Sequence, residues 1–77
     1  MDEAGAYNLI IAVLKQAKRD YISSILRMDY YHMNEIEEFL LSDYGETMSL
    51  HNGERIINLC WRKAKEIKKK RRNGKWQ

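Results

Sequence analysis

Enzymes and metalloproteins need particular side chains at particular spacings, and this chain of 77 residues offers few of them. Its one cysteine, Cys60, lies between Ile56 and Ala64 on the apolar stripe of a predicted helix, so we expect a core thiol and not a nucleophile. His32 and His51 have no third ligand at the spacing that zinc sites use. The sequence therefore predicts no metal site, and it gives no reason to expect a cofactor.

Three carboxylates, Glu35, Glu37 and Glu38, are close enough in sequence to suggest acid–base catalysis. They also surround the start of a predicted helix, where the helix dipole stabilises negative charge, and this interpretation explains them better. The chain lacks a glycine-rich phosphate loop. We expect a protein that is not an enzyme and has no catalytic residues.

The charge of the chain is divided between an acidic body and a basic C-terminal end. Between residues 62 and 75 nine basic side chains face one carboxylate, whereas the rest carries five basic and ten acidic residues. Such a basic cluster can bind a phosphate backbone, with a tryptophan available to stack on a base. The candidate nucleic-acid-binding residues are Lys68, Lys69, Lys70, Arg71, Arg72 and Trp76. The alternative is a solvated helix end whose cations complement the helix dipole.

Aromatic residues form a second candidate surface. Tyr30, Tyr31 and Met33 lie close together in sequence, and Trp61 falls at the margin of a later apolar stripe. Exposed residues of these types supply protein-binding anchors at low entropic cost. The alternative is that they form a lid over a small core. Further apolar residues fall outside the expected core stripes, which also favours a partner or a homodimer; these are Leu9, Val13, Leu41 and Leu59.

Apolar periodicity predicts three helices, of which the first covers residues 4–28 and the second residues 35–44. Asn34 suits the N-cap of the second helix, because Glu37 follows at the spacing of a capping box. Gly45 is expected to end this helix in the left-handed conformation that glycine adopts without penalty.

A connecting segment then leads to the third predicted helix, with Met48 and Leu50 expected to anchor the segment on the core. Asn52 is the expected cap of the third helix. Its buried face is expected to contain Ile56, Ile57, Cys60, Ala64 and Ile67. The prediction is an all-α fold, with a three-helix domain over residues 1–67 and a basic, partly frayed C-terminal helical extension over residues 68–77.

One block of residues joins the second and third predicted helices. It consists of Phe39, Ser42-Asp43-Tyr44 and, after seven residues, Asn52-Gly53-Glu54, followed by Ile56-Ile57. This order and spacing resembles a family of small proteins encoded in prophages of Gram-positive bacteria, whose members read roughly F-F-x-S-D-W/Y, seven residues, D-G-E-x-L/I-I. The resemblance implies a phage or prophage setting and names no activity.

The same block has a structural interpretation, with Ser42, Asp43, Asn52, Gly53 and Glu54 holding the fold together. Asn52 would cap a helix whose first turn contains Gly53 and Glu54, where negative charge meets the positive end of the dipole. Asp43 falls near an apolar stripe and is expected to bond either amides at the start of the third helix or a tyrosine hydroxyl.

Location can also be predicted from the sequence. A single cysteine cannot form an internal disulfide, which favours a reducing compartment. The N-terminus is acidic where a signal peptide is basic, and the longest apolar run is far shorter than the roughly 20 residues of a membrane span. We expect a protein of the host bacterial cytoplasm with no membrane partner.

The leading functional interpretation is stoichiometric binding to a host protein or ribonucleoprotein complex. Small accessory phage proteins often block host defences by binding, so inhibition of a defence complex of the CRISPR type is one form of this function. The alternative is a small protein that binds DNA or RNA through its basic C-terminal helix. A self-associating structural component is a third interpretation.

Overall fold

Four helices follow one another along residues 3–74, the part of the chain that the computed structural model describes, with side chains described for residues 8–71. They are α1 (Glu3–Arg27), α2 (Tyr30–Leu41), α3 (Asp43–Met48) and α4 (Gly53–Gly74), and these residues contain no strand. The all-α prediction is confirmed. The short α3 adds a fourth helix to the three predicted ones.

The three longer helices pack around one core, and α3 forms the corner between α2 and α4. A two-residue turn joins α1 and α2 into a helical hairpin. α4 begins against the end of α2, where Gly53 approaches Leu40. It then returns along α1, where Trp61 contacts Tyr21. α1 and α4 therefore run in the same direction, with α2 opposed to both.

The core contains most of the stripe that was predicted for the third helix. Its buried apolar residues are Tyr21, Ile25, Met33, Leu40, Ile56, Ile57, Cys60 and Ala64. Ile67 is only half-buried, which agrees with a core that ends near it. Among residues 3–74, no helix is both long enough and apolar enough to cross a membrane.

Met33 is in the core and not on the surface, so it is unavailable as the protein-binding anchor that the sequence analysis proposed. Only 6% of this residue is exposed. The cause is the start of α2, which lies more than one turn earlier than predicted. This start places Met33 on the same helix face as Leu40, seven residues later, and that face is buried.

The cap of α2 is Asp29, and the prediction of Asn34 was wrong. Asp29 Oδ1 accepts the backbone N–H of His32 at 3.3 Å, and Oδ2 lies 2.6 Å from Nδ1 of the same histidine. The N–H of His32 is the main cause that lowers the pKa of Asp29 below its ordinary value. Asn34 lies inside α2, where its amide donates to Glu38 at 3.4 Å. Asp29 and Asn34 are both capping residue types, and the helix starts at the earlier of the two.

Gly45 does not end a helix, because it is buried within α3 and its φ is not positive. Ser42 separates the two helices instead, with an extended backbone at φ −70° and ψ 163°. Its hydroxyl donates to the carbonyl of Phe39 at 2.6 Å and accepts the N–H of Gly45 at 3.1 Å. Ser42 therefore ends α2 and caps α3.

The start of α4 is capped from α3, and not by the side chain of Asn52 as predicted. The carboxylate of Glu46 accepts the N–H of Gly53 at 3.1 Å. The Asn52 side chain instead donates to the carbonyl of Ser49 at 2.9 Å, and only its backbone carbonyl accepts the first helical bond, from Ile56. A cap supplied from seven residues earlier has no short-range sequence signature.

Both glycines of this corner are required because two backbones approach closely. A Cβ at Gly45 would collide with the carbonyl oxygen of Phe39 and lie 2.9 Å from the Cα of Leu40. A Cβ at Gly53 would collide with the carbonyl oxygen of Leu40 and with the carboxylate of Glu46. The obstacles are mostly backbone atoms, which cannot rotate away.

Two helices end with a large apolar residue in the left-handed conformation that glycine usually occupies. Met28 after α1 and Leu50 after α3 each have φ 57°, and His51 follows with φ 64°. In both cases the next amide bonds to the carbonyl five residues before it, at 2.9 and 2.7 Å, which closes a Schellman motif. A side chain in this conformation costs roughly 1–2 kcal/mol, so backbone geometry does not favour these residues.

Replacing Gly45 by alanine should lower the free energy of unfolding by about 1–3 kcal/mol, the range for overpacked sites. The reason is the collision with the end of α2. Urea denaturation followed by circular dichroism measures the change. Asn58→Ala, on the exposed face of α4, is the matched control and should stay within about 0.5 kcal/mol of the parent. Equal stabilities of the two variants would contradict the close approach.

Candidate binding surfaces

The first turn of α2 presents two neighbouring tyrosines to solvent. Tyr30 is 69% exposed and Tyr31 is 71% exposed. The cap between Asp29 and His32 fixes the backbone below them, and the His32 ring meets Tyr31 edge-on at a centroid distance of 5.6 Å. A hydrogen bond with Glu35 raises the pKa of Tyr31. The cap therefore fixes the backbone beneath both tyrosines, and the contacts with His32 and Glu35 orient the side chain of Tyr31.

Trp61 lies on a different helix from these tyrosines and is held by the core. Its Nε1 donates to the hydroxyl of Tyr21 at 2.9 Å, and the two rings meet edge-on with centroids 6.5 Å apart. Tyr21 is fully buried, and this burial is the main cause that raises its pKa to about 12, although the bond from Trp61 acts in the opposite direction. Trp61 remains 38% exposed, so part of its ring is available to a partner.

The residues considered for catalysis have structural partners. Cys60 is 3% exposed with Sγ 3.9 Å from the carbonyl of Lys18, and burial raises the pKa of its thiol, which disfavours the thiolate. Nδ1 of His51 lies 3.7 Å from the Glu46 carboxylate. Among residues 3–74, no group of three or more histidine, cysteine or carboxylate side chains could hold a metal ion.

The basic end of α4 continues the helix beyond the core. Among residues 8–71, Ala64 is the last buried one, and residues 68–71 are all exposed while the helix runs to Gly74. The four candidate cations Lys68, Lys69, Lys70 and Arg71 thus lie on one projecting helical segment. Arg72 belongs to the same helix, but its side chain and the whole of Trp76 lie outside the described part of the chain. Fraying of this segment stays a prediction.

The motif block from Phe39 to Ile57 forms the corner between α2 and α4. Ser42 caps α3, Gly53 makes the close approach to α2, and Glu54 lies in the first turn of α4. Asp43 is the first residue of α3 and is exposed, and among the described residues its carboxylate bonds neither an amide of α4 nor a tyrosine hydroxyl; the Gly53 amide goes to Glu46 instead. The charge of Asp43 lies at the positive end of the α3 dipole.

A groove that the sequence analysis did not predict runs between α1 and α4. It has a volume of about 420 Å³, and a hollow of about 280 Å³ continues it toward Lys63. We call the two together the α1–α4 groove; its apolar walls include Ile10, Ile11, Leu14, Leu50, Ile56 and Leu59. Leu50 was expected to anchor on the core, yet it is 80% exposed. The one sequence feature that pointed to this groove was Leu59, an apolar residue outside the predicted core stripe of its helix.

Comparison of the chain with protein-family models, curated proteins and solved structures gives no match. The resemblance to prophage proteins therefore depends on the motif residues alone and stays a prediction.

The free energy of unfolding should fall between pH 10 and pH 12 because of Tyr21. Its pKa is raised from the ordinary value of 10.0 to about 12 in the folded protein. The neutral phenol therefore stabilises the fold fully below pH 10, and this contribution, about 3 kcal/mol, is lost as the pH rises through 12. Urea denaturation at several alkaline pH values measures the decline.

Tyr21→Phe is the matched control, because it keeps the buried ring and removes the ionisable hydroxyl. Lysine titration affects the parent and the variant alike, so only the difference between them reports on Tyr21. If the two proteins lose stability in parallel from pH 10 to pH 12, Tyr21 is not the group responsible.

Proposed function

We propose that this protein works without catalysis, by binding stoichiometrically to a host protein or ribonucleoprotein complex. The observation that carries the proposal is the pair Tyr30 and Tyr31, each more than two thirds exposed on a helix start that its own cap holds in place. Tyrosine supplies a large contact area at low cost in conformational entropy, which makes it a common hot-spot residue.

The charges beside the tyrosines define the partner surface further. Glu35 and Glu38 are exposed on α2 within two turns of Tyr31. Carboxylates at the rim of an interface increase the rate of encounter with a basic surface. Trp61 supplies an additional anchor through the exposed part of its ring, whereas Met33 is excluded by its burial.

The biological setting that we propose is the cytoplasm of a bacterial host, with the protein acting as a phage or prophage accessory factor. The motif from Ser42 to Glu54 supports this origin. Inhibition of a defence complex of the CRISPR type is one role that fits a small stoichiometric binder. A homodimer stays an alternative use of the exposed apolar side chains, and sedimentation would reveal it.

The tyrosine pair can be tested by capture from a host lysate treated with nuclease. The double variant Tyr30→Ala/Tyr31→Ala should capture no more than about a tenth of the partner that the parent captures, because two hot-spot side chains are lost. Tyr44→Ala is the control, because Tyr44 is 69% exposed but lies beyond the other end of α2. Equal capture by the double variant and the parent would contradict this assignment.

A second candidate function is nucleic-acid binding, and the exposed cations on the projecting end of α4 favour it. About five phosphate contacts predict an affinity for duplex DNA or RNA that falls roughly 500-fold between 50 and 200 mM salt. A chain truncated after Ile67 should lose this binding and keep capture of a protein partner. Binding that survives the truncation, or that does not depend on salt, would exclude the basic end as the binding element.

A further inference from the structure

The α1–α4 groove leaves apolar side chains partly in contact with water along both helices. Ile10, Ile11 and Leu14 of α1 are only half-buried, and Leu59 of α4 is 48% exposed. Leu50 lies at the mouth of the groove. Apolar surface that is continuous and concave on a domain of this size commonly marks an interaction site.

The charged side chains that line the groove are all basic. Lys18 from α1 and Arg55 and Lys63 from α4 line the groove, and no carboxylate is among the described residues that line it. Glu54 lines a neighbouring hollow that shares Arg55 and Leu59 with the groove, whereas Glu35 and Glu38 lie on another helix, α2. A groove with apolar walls and cations along its edges is complementary to a ligand with an apolar face and flanking negative charge.

Leu50, at the mouth of the groove, has a backbone conformation and an exposure that do not favour the stability of the fold. Its backbone is in the left-handed conformation, where glycine or asparagine would avoid the steric cost. Its side chain recovers little of this cost within the chain, because 80% of it is exposed. Backbone strain of this kind tends to persist at functional sites, and here it holds a leucine beside the apolar walls.

We propose that the α1–α4 groove binds an amphipathic helix of a partner protein, with acidic residues flanking the apolar face of that helix. The groove follows α1 from Ile10 to Ile22, about 18 Å at the helical rise, which matches three turns of a bound helix. Apolar anchors at i, i+3 or i+4, and i+7 would fill it, and carboxylates would pair with the rim.

A second copy of this chain fits the groove less well. In a symmetric dimer the same surface patch faces itself, so Lys18, Arg55 and Lys63 of one copy would approach the same cations of the other. Like charges at an interface are unfavourable. An acidic helix avoids this repulsion. The inference rests on the proposed function, because it assigns a chemistry to one segment of the proposed protein partner.

Two synthetic peptides test the inference directly on the purified full chain. Both have about 14 residues and the same leucine stripe, with glutamate at the other positions of one and lysine in the other. Fluorescence anisotropy at about 0.1 M salt measures both affinities. The glutamate peptide should bind at least about tenfold more tightly than the lysine peptide.

Charge-matched variants separate the groove from general attraction. Arg55→Glu/Lys63→Glu should weaken binding of the glutamate peptide at least about tenfold. Lys65→Glu/Lys69→Glu makes the same change in charge on exposed positions of α4 that do not line the groove, so it should have a much smaller effect. Equal effects of the two double variants, or equal binding of the two peptides, would overturn the proposal.

Leu50→Gly distinguishes lost binding from lost folding. Glycine relieves the positive φ, so the midpoint of thermal unfolding should stay the same or rise while the affinity for the glutamate peptide falls at least about fivefold. Unchanged affinity contradicts the proposal. So does a dimer that sedimentation detects and Leu50→Gly abolishes, or binding to anionic lipid vesicles that Leu50→Gly abolishes. Tyr30→Ala/Tyr31→Ala should bind the glutamate peptide as the parent does. If the groove proposal fails, the capture experiment with those tyrosines therefore still tests the proposed function separately.

Discussion

α4 can begin where it does only because neither Gly45 nor Gly53 carries a side chain. Both residues press against the backbone at the C-terminal end of α2, where a methyl group would meet the carbonyl oxygens of Phe39 and Leu40. Two short-range contacts fix the geometry around them: the hydroxyl of Ser42 binds the N–H of Gly45, and the carboxylate of Glu46 binds the N–H of Gly53. This contact sets the position from which α4 returns along α1.

The binding surfaces depend on that return. Because α4 runs beside α1, its residues Ile57, Cys60 and Ala64 complete the core, and Trp61 reaches the hydroxyl of Tyr21. The next stripe around α4, with Arg55, Leu59 and Lys63, faces α1 outside the core and forms the wall of the groove. The tyrosines of α2 and the basic end of α4 lie on other parts of the surface, so one small fold presents three chemically different patches.

The periodicity of the sequence was enough to predict the helical class and the buried stripe of the last helix, because both depend on residues three and four apart. The capping predictions failed where the chain offered two candidates or a distant one. Asp29 starts α2 in place of Asn34, and Glu46 reaches across seven residues to cap α4 in place of Asn52. The burial of Met33 follows from the first of these differences. The groove could not be foreseen, since it depends on which faces of two helices 40 residues apart meet.

The contacts of the molecule also differ in how far apart along the chain their partners are. The bond between Glu46 and Gly53 closes a segment of seven residues, whereas the contacts of Lys18 with Cys60 and of Tyr21 with Trp61 join residues 42 and 40 apart. Closing a longer loop costs more conformational entropy, and this cost comes before the contact can contribute favourable free energy. We infer an order of assembly in which the α1–α2 hairpin and the corner from α2 to the start of α4 form first and the packing of α4 along α1 forms last, so that a partly folded chain would expose the length of α4 first.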